Sequence, residues 1–511
     1  MNRERNLKKL SEIEVWDVLV IGGGASGLGV ALDACSRGLH VLLIEQCDFG
    51  KGTSSRSTKL VHGGVRYLKN GQLSMVIEAL RERGIMLKNA PHLVRNMSFV
   101  IPTYDWWTTP FYGIGLKIYD LMAGKLGLGP SEMLTKAETI DRIPNVNQEG
   151  LNGGIIYHDG QFDDARMAIS LAHTVNQHNG TVLNYMKFDS FIHKKNEVIG
   201  IHASDVLQSK SYAIKAKSIV NATGVFAEDI MKLDDPSSKI RIKPSQGIHI
   251  VLDKSFLQSE NAIMVPNTTD GRVLFAVPWK DVVVVGTTDI EIQDISIEPK
   301  ATNEEIDFIL KNAEMYMTRK PKRSDIKSVF AGLRPLISKE DKPSKDLSRK
   351  HTVFQSTSGV IHLLGGKWTT YRQMGKDTMD QIVSSLQLTN KQSQTEKLRI
   401  FGYKEGTDWN DSLHVYGSEK AAVASMGSLE PLTDTLPITE AQVIYAVKME
   451  MAKTLEDVLS RRTRCLLIDA KESIRIAPHI AKIMARELNF GENWQEQQIK
   501  LFLDLASNYH L

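Results

Sequence analysis

At 511 residues, with 42% apolar and 24% charged residues, the chain has the composition of an ordinary soluble protein of two or three domains, which excludes a fibre or a disordered polymer. A formal net charge of +3 is nearly neutral for this size and argues for no nucleic-acid partner. Cys35, Cys47 and Cys465 are isolated thiols with no C-x-x-C pair, which fits a reducing compartment, excludes a thiolate-held iron–sulfur cluster and leaves redox chemistry to an organic cofactor, with no metal.

The first ten residues lack the apolar core of a signal peptide, and no uninterrupted apolar run is long enough to span a bilayer, so an intracellular protein is expected. From Val15 to Glu45 the chain reads as strand, glycine turn, helix, strand. Gly22 allows the tight turn, Gly24 lets backbone amides approach a pyrophosphate, and Gly27 lets the helix pack on the strand. Glu45, ending the second strand, would accept hydrogen bonds from ribose hydroxyls and repel a 2′-phosphate, which favours FAD or NAD over NADP.

A hydroxyl-rich loop follows, Thr53-Ser54-Ser55-Arg56-Ser57-Thr58-Lys59, then His62-Gly63-Gly64 and Arg66. Such a loop can donate to phosphates and to a flavin ring. An amphipathic helix is expected from about Leu73 to Lys88. Trp106–Leu128 crowds aromatic and aliphatic residues with Lys117 and Lys125; it is too broken to span a membrane and fits either an interfacial segment or a buried helix. Ser218-Ile219-Val220-Asn221-Ala222-Thr223-Gly224 is a second strand-to-turn signature. The runs 240–253 and 272–288 predict a separate sheet carrying His249 and Arg272. Thr302 and Glu305 predict a helix start by a capping box, and Ser338–Lys350 reads as a surface loop. Gly359–Arg372 is another strand, glycine turn and helix start. Thr389–Lys397 is the best linker candidate, and the helical patterns beyond it, opened by the Thr439–Gln442 capping box, predict a helical C-terminal domain.

Together the Val15–Glu45 unit, Thr53–Leu68, Ser218–Gly224, Phe330-Ala331-Gly332-Leu333-Arg334-Pro335-Leu336, Gly365–Arg372 and the tail motif Ser460-Arg461-Arg462-Thr463-Arg464 resemble the FAD-dependent glycerol-3-phosphate dehydrogenases nearly end to end. The resemblance implies an α/β fold, α+β overall. A discontinuous Rossmann-like FAD-binding domain (about 14–80, 150–230 and 350–388) would hold a β-rich substrate domain in its insertions (about 81–149 and 231–349), with 389–511 as the helical C-terminal domain. Implied cofactor contacts are Gly22, Gly24, Gly27 and Glu45, then Thr53, Ser54, Ser55, Lys59, His62 and Gly63. Ala222, Gly224, Gly366, Lys367 and Thr369 complete that set. Two departures stand out: Phe226 where the family often has Trp, and Gln246 where it often has a basic residue.

The implied substrate, sn-glycerol 3-phosphate, is a secondary alcohol carrying a phosphate dianion. Its oxidation to dihydroxyacetone phosphate needs a base near neutral pKa, and His62 and His249 are the candidates. The phosphate needs guanidinium, for which Arg334 is first choice, Arg66 and Arg272 second and Arg372 third, with Tyr67 beside them as a substrate contact. Lys367 suits phosphate or the anionic reduced flavin. Implied partners are a membrane quinone and the membrane surface on the cytoplasmic face of the cell membrane; a homodimer is compatible with the resemblance. The rivals are a glycerol-3-phosphate oxidase using oxygen and an amino-acid oxidase of the same superfamily.

Overall fold

The computed structural model describes residues 1–64, 72–105, 108–266, 268–338, 351–389 and 391–511, with backbone alone at 108–111 and 125. Arg66, Tyr67, Trp106, Trp107 and the charged loop 339–350 therefore lie outside the described residues.

Strands Ile361–Leu364, Lys210–Asn221, Val15–Ile21, Val41–Ile44 and Thr181–Leu183 form, in that spatial order, a parallel sheet. Val18, Leu19, Val20 and Ile21 are all buried, as strands covered on both faces require. The register sets Ile21 beside both Asn221 and Ile44, and Asn221 beside His362. Gly22, Glu45, Ala222 and Gly365 consequently leave the sheet at one carboxyl edge, where open α/β sheets bind ligands. Helices Ala25–Ser36 and Tyr371–Ser385 meet at glycines on one face, since a Cβ on Gly375 would lie 2.3 Å from the Gly29 carbonyl oxygen.

The second sheet is mainly antiparallel, with Arg241–Asp253 paired between Ser328–Ser338 and Val282–Gly286. Alternation divides its faces. Ile248, Ile250, Val283 and Val285 pack on the helix Asn303–Tyr316, which starts with the Thr302–Glu305 capping box. Val251, Val282, Val284 and Phe330 pack into a core with Leu459, Leu466 and Ile480 of the C-terminal helices. That region is helical as expected, and Thr439 and Gln442 cap the helix Glu440–Met449.

The helix Thr108–Ala123 has a buried and an exposed apolar side. Leu116 and Tyr119 are buried, whereas Ile114, Ile118 and Leu121 are exposed by 65%, 44% and 81%. Within the stretch expected as a linker, Thr395 is bonded to the opening unit: its hydroxyl donates to Asp33 at 3.0 Å, and Asn89 donates to its carbonyl at 3.1 Å.

The C-terminal helices are also joined to the opening unit by buried charge. Asp48 accepts from Arg461 at 2.6 Å and from Arg462 at 2.6 and 2.9 Å. Glu456 lies between Arg461 at 2.6 Å and Lys51 at 2.5 Å. Burial pushes the Glu456 carboxyl up, but the two cations outweigh it and hold the group at about 2. A depressed carboxylate adds stability above its unfolded value of about 4.3 and loses it as pH falls through its folded value. Thermal melts should therefore drop as pH falls from about 4.3 to 2, and Glu456→Gln should flatten part of that drop. Asp48→Ala, which strips two buried guanidinia of a shared carboxylate, should destabilise by about 3–5 kcal/mol. An unchanged melting temperature in Asp48→Ala would contradict the clamp.

Candidate functional site

A cavity of about 710 Å³ opens where the carboxyl edge of the parallel sheet faces the second sheet. At one end lies the glycine turn. Gly22 adopts φ +112°, and a Cβ there would sit 2.6 Å from the Ala222 carbonyl oxygen. A Cβ on Gly27 would fall 1.9 Å from the Gly22 oxygen, so this turn and helix can close only with glycine at both positions. Gly24 caps the helix Ala25–Ser36 without a side chain, and the Ala25 N–H meets Ser54 Oγ at 2.9 Å. Glu45 accepts from Gly23 N–H at 2.7 Å and Cys47 N–H at 2.9 Å. Burial pushes its carboxyl up and these donors oppose the rise. Such a fixed acceptor beside a helix N-terminus whose cap residue has no side chain is the donor and acceptor set of a dinucleotide.

Ala222, Gly224, Gly366, Lys367 and Thr369 line the same cavity with Thr53, Ser54 and His62. Thr369 Oγ1 accepts the His62 backbone N–H at 3.3 Å, and Trp368 Nε1 donates to the Ser54 carbonyl at 2.8 Å. The glycine segment after Ile361–Leu364 is thereby fastened to the hydroxyl loop.

The other end is built by the second sheet. Arg334 donates to Thr287 Oγ1 at 3.1 Å and stands 3.6 Å from Asp289, whose carboxylate also accepts from Ser245. A Cβ on Gly247 would come within 2.3 Å of the Arg334 guanidinium, so Gly247 gives it room. His249 stacks on Phe330 at 4.8 Å and 16°, and its Nε2 lies 2.8 Å from Thr58 Oγ1. Burial first, then Lys59 and Arg334, hold the imidazole well below its ordinary value, which favours its neutral form.

Several expected site residues are not brought to the cavity. Lys59 is fully buried, bonded to Asp164 at 2.8 Å and to the Ser55 carbonyl at 3.0 Å, and burial lowers it to about 8. Ser55 is buried beside it. Gly63 gives its N–H to Tyr119 at 2.9 Å, which makes it a packing glycine. Arg372 is spent on Glu82, at 2.5 and 2.8 Å, and Arg272 on Asp270 at 3.0 Å within its own turn. Gln246 points away from His249, donating to Glu305 at 2.7 Å and to the Lys300 carbonyl at 2.9 Å, so it does not alter charge at the imidazole. Phe226 does line the cavity.

Two cavity residues had no role from sequence. Thr58 was one hydroxyl among many in its loop, and only the fold sets it against His249. Arg56 donates to Glu298 at 2.6 Å, and Glu298 in turn accepts from Tyr509 near the C-terminus at 2.6 Å. No spacing rule links residues so far apart.

Residues 17–372 match the FAD dependent oxidoreductase family, and residues 360–498 match the C-terminal domain of alpha-glycerophosphate oxidase. The chain is 37% identical to the mitochondrial glycerol-3-phosphate dehydrogenase of Bos taurus, over 98% of this chain and 74% of that one. It is 35% identical to that of Schizosaccharomyces pombe, over 96% and 87%. The glycerol-3-phosphate dehydrogenase structure from Bacillus halodurans, complexed with FAD, superposes with a TM-score of 0.81 at 29% identity, covering 99% of this chain and 97% of the other. The L-alpha-glycerophosphate oxidase of Mycoplasma pneumoniae shares the fold, with a TM-score of 0.59 at 16% identity over 72% of this chain and 95% of that one. With the glycine turn, the second sheet and the helical tail all matched in one chain, the protein belongs to the FAD-dependent glycerol-3-phosphate dehydrogenase family.

Proposed function

We propose that the protein oxidises sn-glycerol 3-phosphate to dihydroxyacetone phosphate with FAD and delivers the electrons to a quinone in the membrane. One observation carries the substrate reading: Arg334 lines the cavity on the same sheet as the neutral His249, at the end away from the dinucleotide turn. Guanidinium is a permanent charge with directed donors, suited to a phosphate dianion. FAD, when bound, supplies a hydride acceptor. Gly22, Gly24 and the helix N-terminus hold its pyrophosphate, Glu45 its ribose, and Thr369 and Lys367 the flavin end. Arg334 fixes the phosphate of the substrate, which orients C2, and a cavity histidine takes the hydroxyl proton.

The quinone reading rests on the exposed face of the helix Thr108–Ala123. Ile114, Ile118 and Leu121 share one side of it, Met133 beside them is 64% exposed, and Lys117 stands close by. Among the described residues no helix is long and apolar enough to cross a membrane, so contact would be peripheral. We assign it to the cytoplasmic face of the cell membrane, a setting that suits three free thiols. Arginine at the substrate end favours a phosphate over the carboxylate and amine of an amino acid. An oxygen-using oxidase would share the motifs named above, and acceptor kinetics separate the two.

Three outcomes test this reading. Gly24→Val should purify without flavin colour, because the branched side chain meets Ser54 Oγ, 3.1 Å from even a Cβ, on the pyrophosphate path. Arg334→Ala should keep FAD but lose about 2–4 kcal/mol in kcat/KM along with most of the preference for glycerol 3-phosphate over glycerol, and Arg334→Lys should recover only part. Full activity and full preference in the alanine variant would remove the phosphate assignment. Leu121→Asp should weaken sedimentation with anionic vesicles and slow reduction of a membrane quinone while leaving dye reduction intact. Faster turnover with oxygen than with quinone would favour the oxidase.

A further inference from the structure

The two cavity histidines are not equivalent. His249 is 3% exposed at the cavity wall, and its imidazole is closely packed. Phe330 stacks on one face, and a Cβ on Gly286 would lie 2.3 Å from the ring, so the neighbouring strand touches it directly. Nδ1 is buried and has no hydrogen-bond partner among the described residues. Nε2 has one, Thr58 Oγ1 at 2.8 Å. Thr58 itself is half-buried and lines the cavity together with His249, so its hydroxyl meets the imidazole at the cavity wall.

This arrangement selects a tautomer. With hydrogen on Nδ1, an N–H would be buried with nothing to receive it. With hydrogen on Nε2, the N–H is given to Thr58 and only a lone pair is left without a partner, which is the lesser penalty. A proton acceptor must also become a cation. The charged groups around His249 are Lys59, whose Nζ lies 5.0 Å from the centre of the Phe330 ring, and Arg334, opposed by Asp164, which Lys59 and Arg464 already share, and by Asp289 beside Arg334. Two cations and full burial oppose an imidazolium there.

We propose that His249 is a hydrogen-bond donor and not the base: its Nε2–H is given to Thr58, and the Thr58 hydroxyl is given to the C2 oxygen of the substrate, whose proton leaves to His62. The inference rests on the alcohol-oxidising reading above. The C2–H bond breaks with its electron pair leaving as hydride to the cofactor, the O–H bond breaks with its proton going to His62, and C2 and oxygen close a carbonyl. Thr58 is then a catalytic residue that steadies charge developing on oxygen, and His249 is the positioning residue that orients it. A neutral imidazole serves better than a charged one for this, because it polarises without competing for the proton.

Two measurements on the holoenzyme test it. In protein labelled with 15N-histidine, the His249 ring, identified by its loss in His249→Gln, should remain neutral with hydrogen on Nε2 from pH about 5 to 9. In anaerobic flavin reduction by glycerol 3-phosphate, Thr58→Val should slow the reductive step on the order of 10²-fold, and Thr58→Ser should restore most of it. The rising limb of the pH profile should survive in Thr58→Val and in His249→Gln, whose amide keeps a donor, and should vanish in His62→Asn. An Nδ1–H tautomer, a His249 ring that titrates near neutrality, or loss of the rising limb in His249→Gln with its retention in His62→Asn would overturn the proposal. The spectroscopic arm needs no substrate, so it reads the tautomer even if wild-type flavin fails to bleach with glycerol 3-phosphate, a result that would instead remove the substrate reading.

Discussion

Asp164 is the point from which the active loop hangs. It is fully buried, and one of its oxygens accepts from Ser57 N–H at 2.9 Å, Ser57 Oγ at 2.7 Å and Lys59 Nζ at 2.8 Å. The other accepts from Arg464 of the C-terminal helices at 2.8 Å. A carboxylate placed so deep would be costly alone; here two cations and a hydroxyl satisfy it, and they hold its pKa below the usual range despite burial. The loop between Thr53 and Leu60 has little regular structure of its own, so its shape is set by these bonds. Thr58 meets His249 because Ser57 and Lys59, on either side of it, are both tied to Asp164.

The helical tail reaches this loop although, among the described residues, none of the tail lines the cavity. Arg464 also donates to the Ser55 carbonyl at 2.9 Å, and Arg461 and Arg462 hold Asp48 just beyond Glu45. Tyr509 reaches Glu298 and through it Arg56. The stretch from Glu45 to Thr58, which runs along the cavity from the glycine turn to His249, is thus gripped from the C-terminal side along its length. Phe330 couples the two regions again, since it stacks on His249 while belonging to the core that holds Leu466 and Ile480.

What the sequence made legible was local. The Gly22–Gly27 turn, the acid at Glu45 and the capping boxes at Thr302 and Thr439 are short-range patterns whose physics is complete within a few residues, and each appears where expected. The runs 240–253 and 272–288 were readable for the same reason, and they hold the strands Arg241–Asp253, Leu274–Trp279 and Val282–Gly286. Arginines were not. Arg334 and Arg372 look alike in sequence, each in a matched motif, yet one faces the cavity and the other pairs with Glu82, far away in the chain. Lys59 is separated from Asp164 in the same way, and only folding reveals that its charge is used to hold the loop. Arg272 pairs with Asp270, two residues before it in the same turn, a contact that spacing alone could have suggested. The Trp106–Leu128 segment resisted a single reading because its helix has both a buried and an exposed apolar side.

The account turns on a phosphate-selective, alcohol-oxidising cavity, and the most direct measurement is anaerobic bleaching of the flavin in purified holoenzyme. It should bleach rapidly with sn-glycerol 3-phosphate, slowly with glycerol, and not with glycine or proline. Bleaching by the amino acids but not by glycerol 3-phosphate would contradict it.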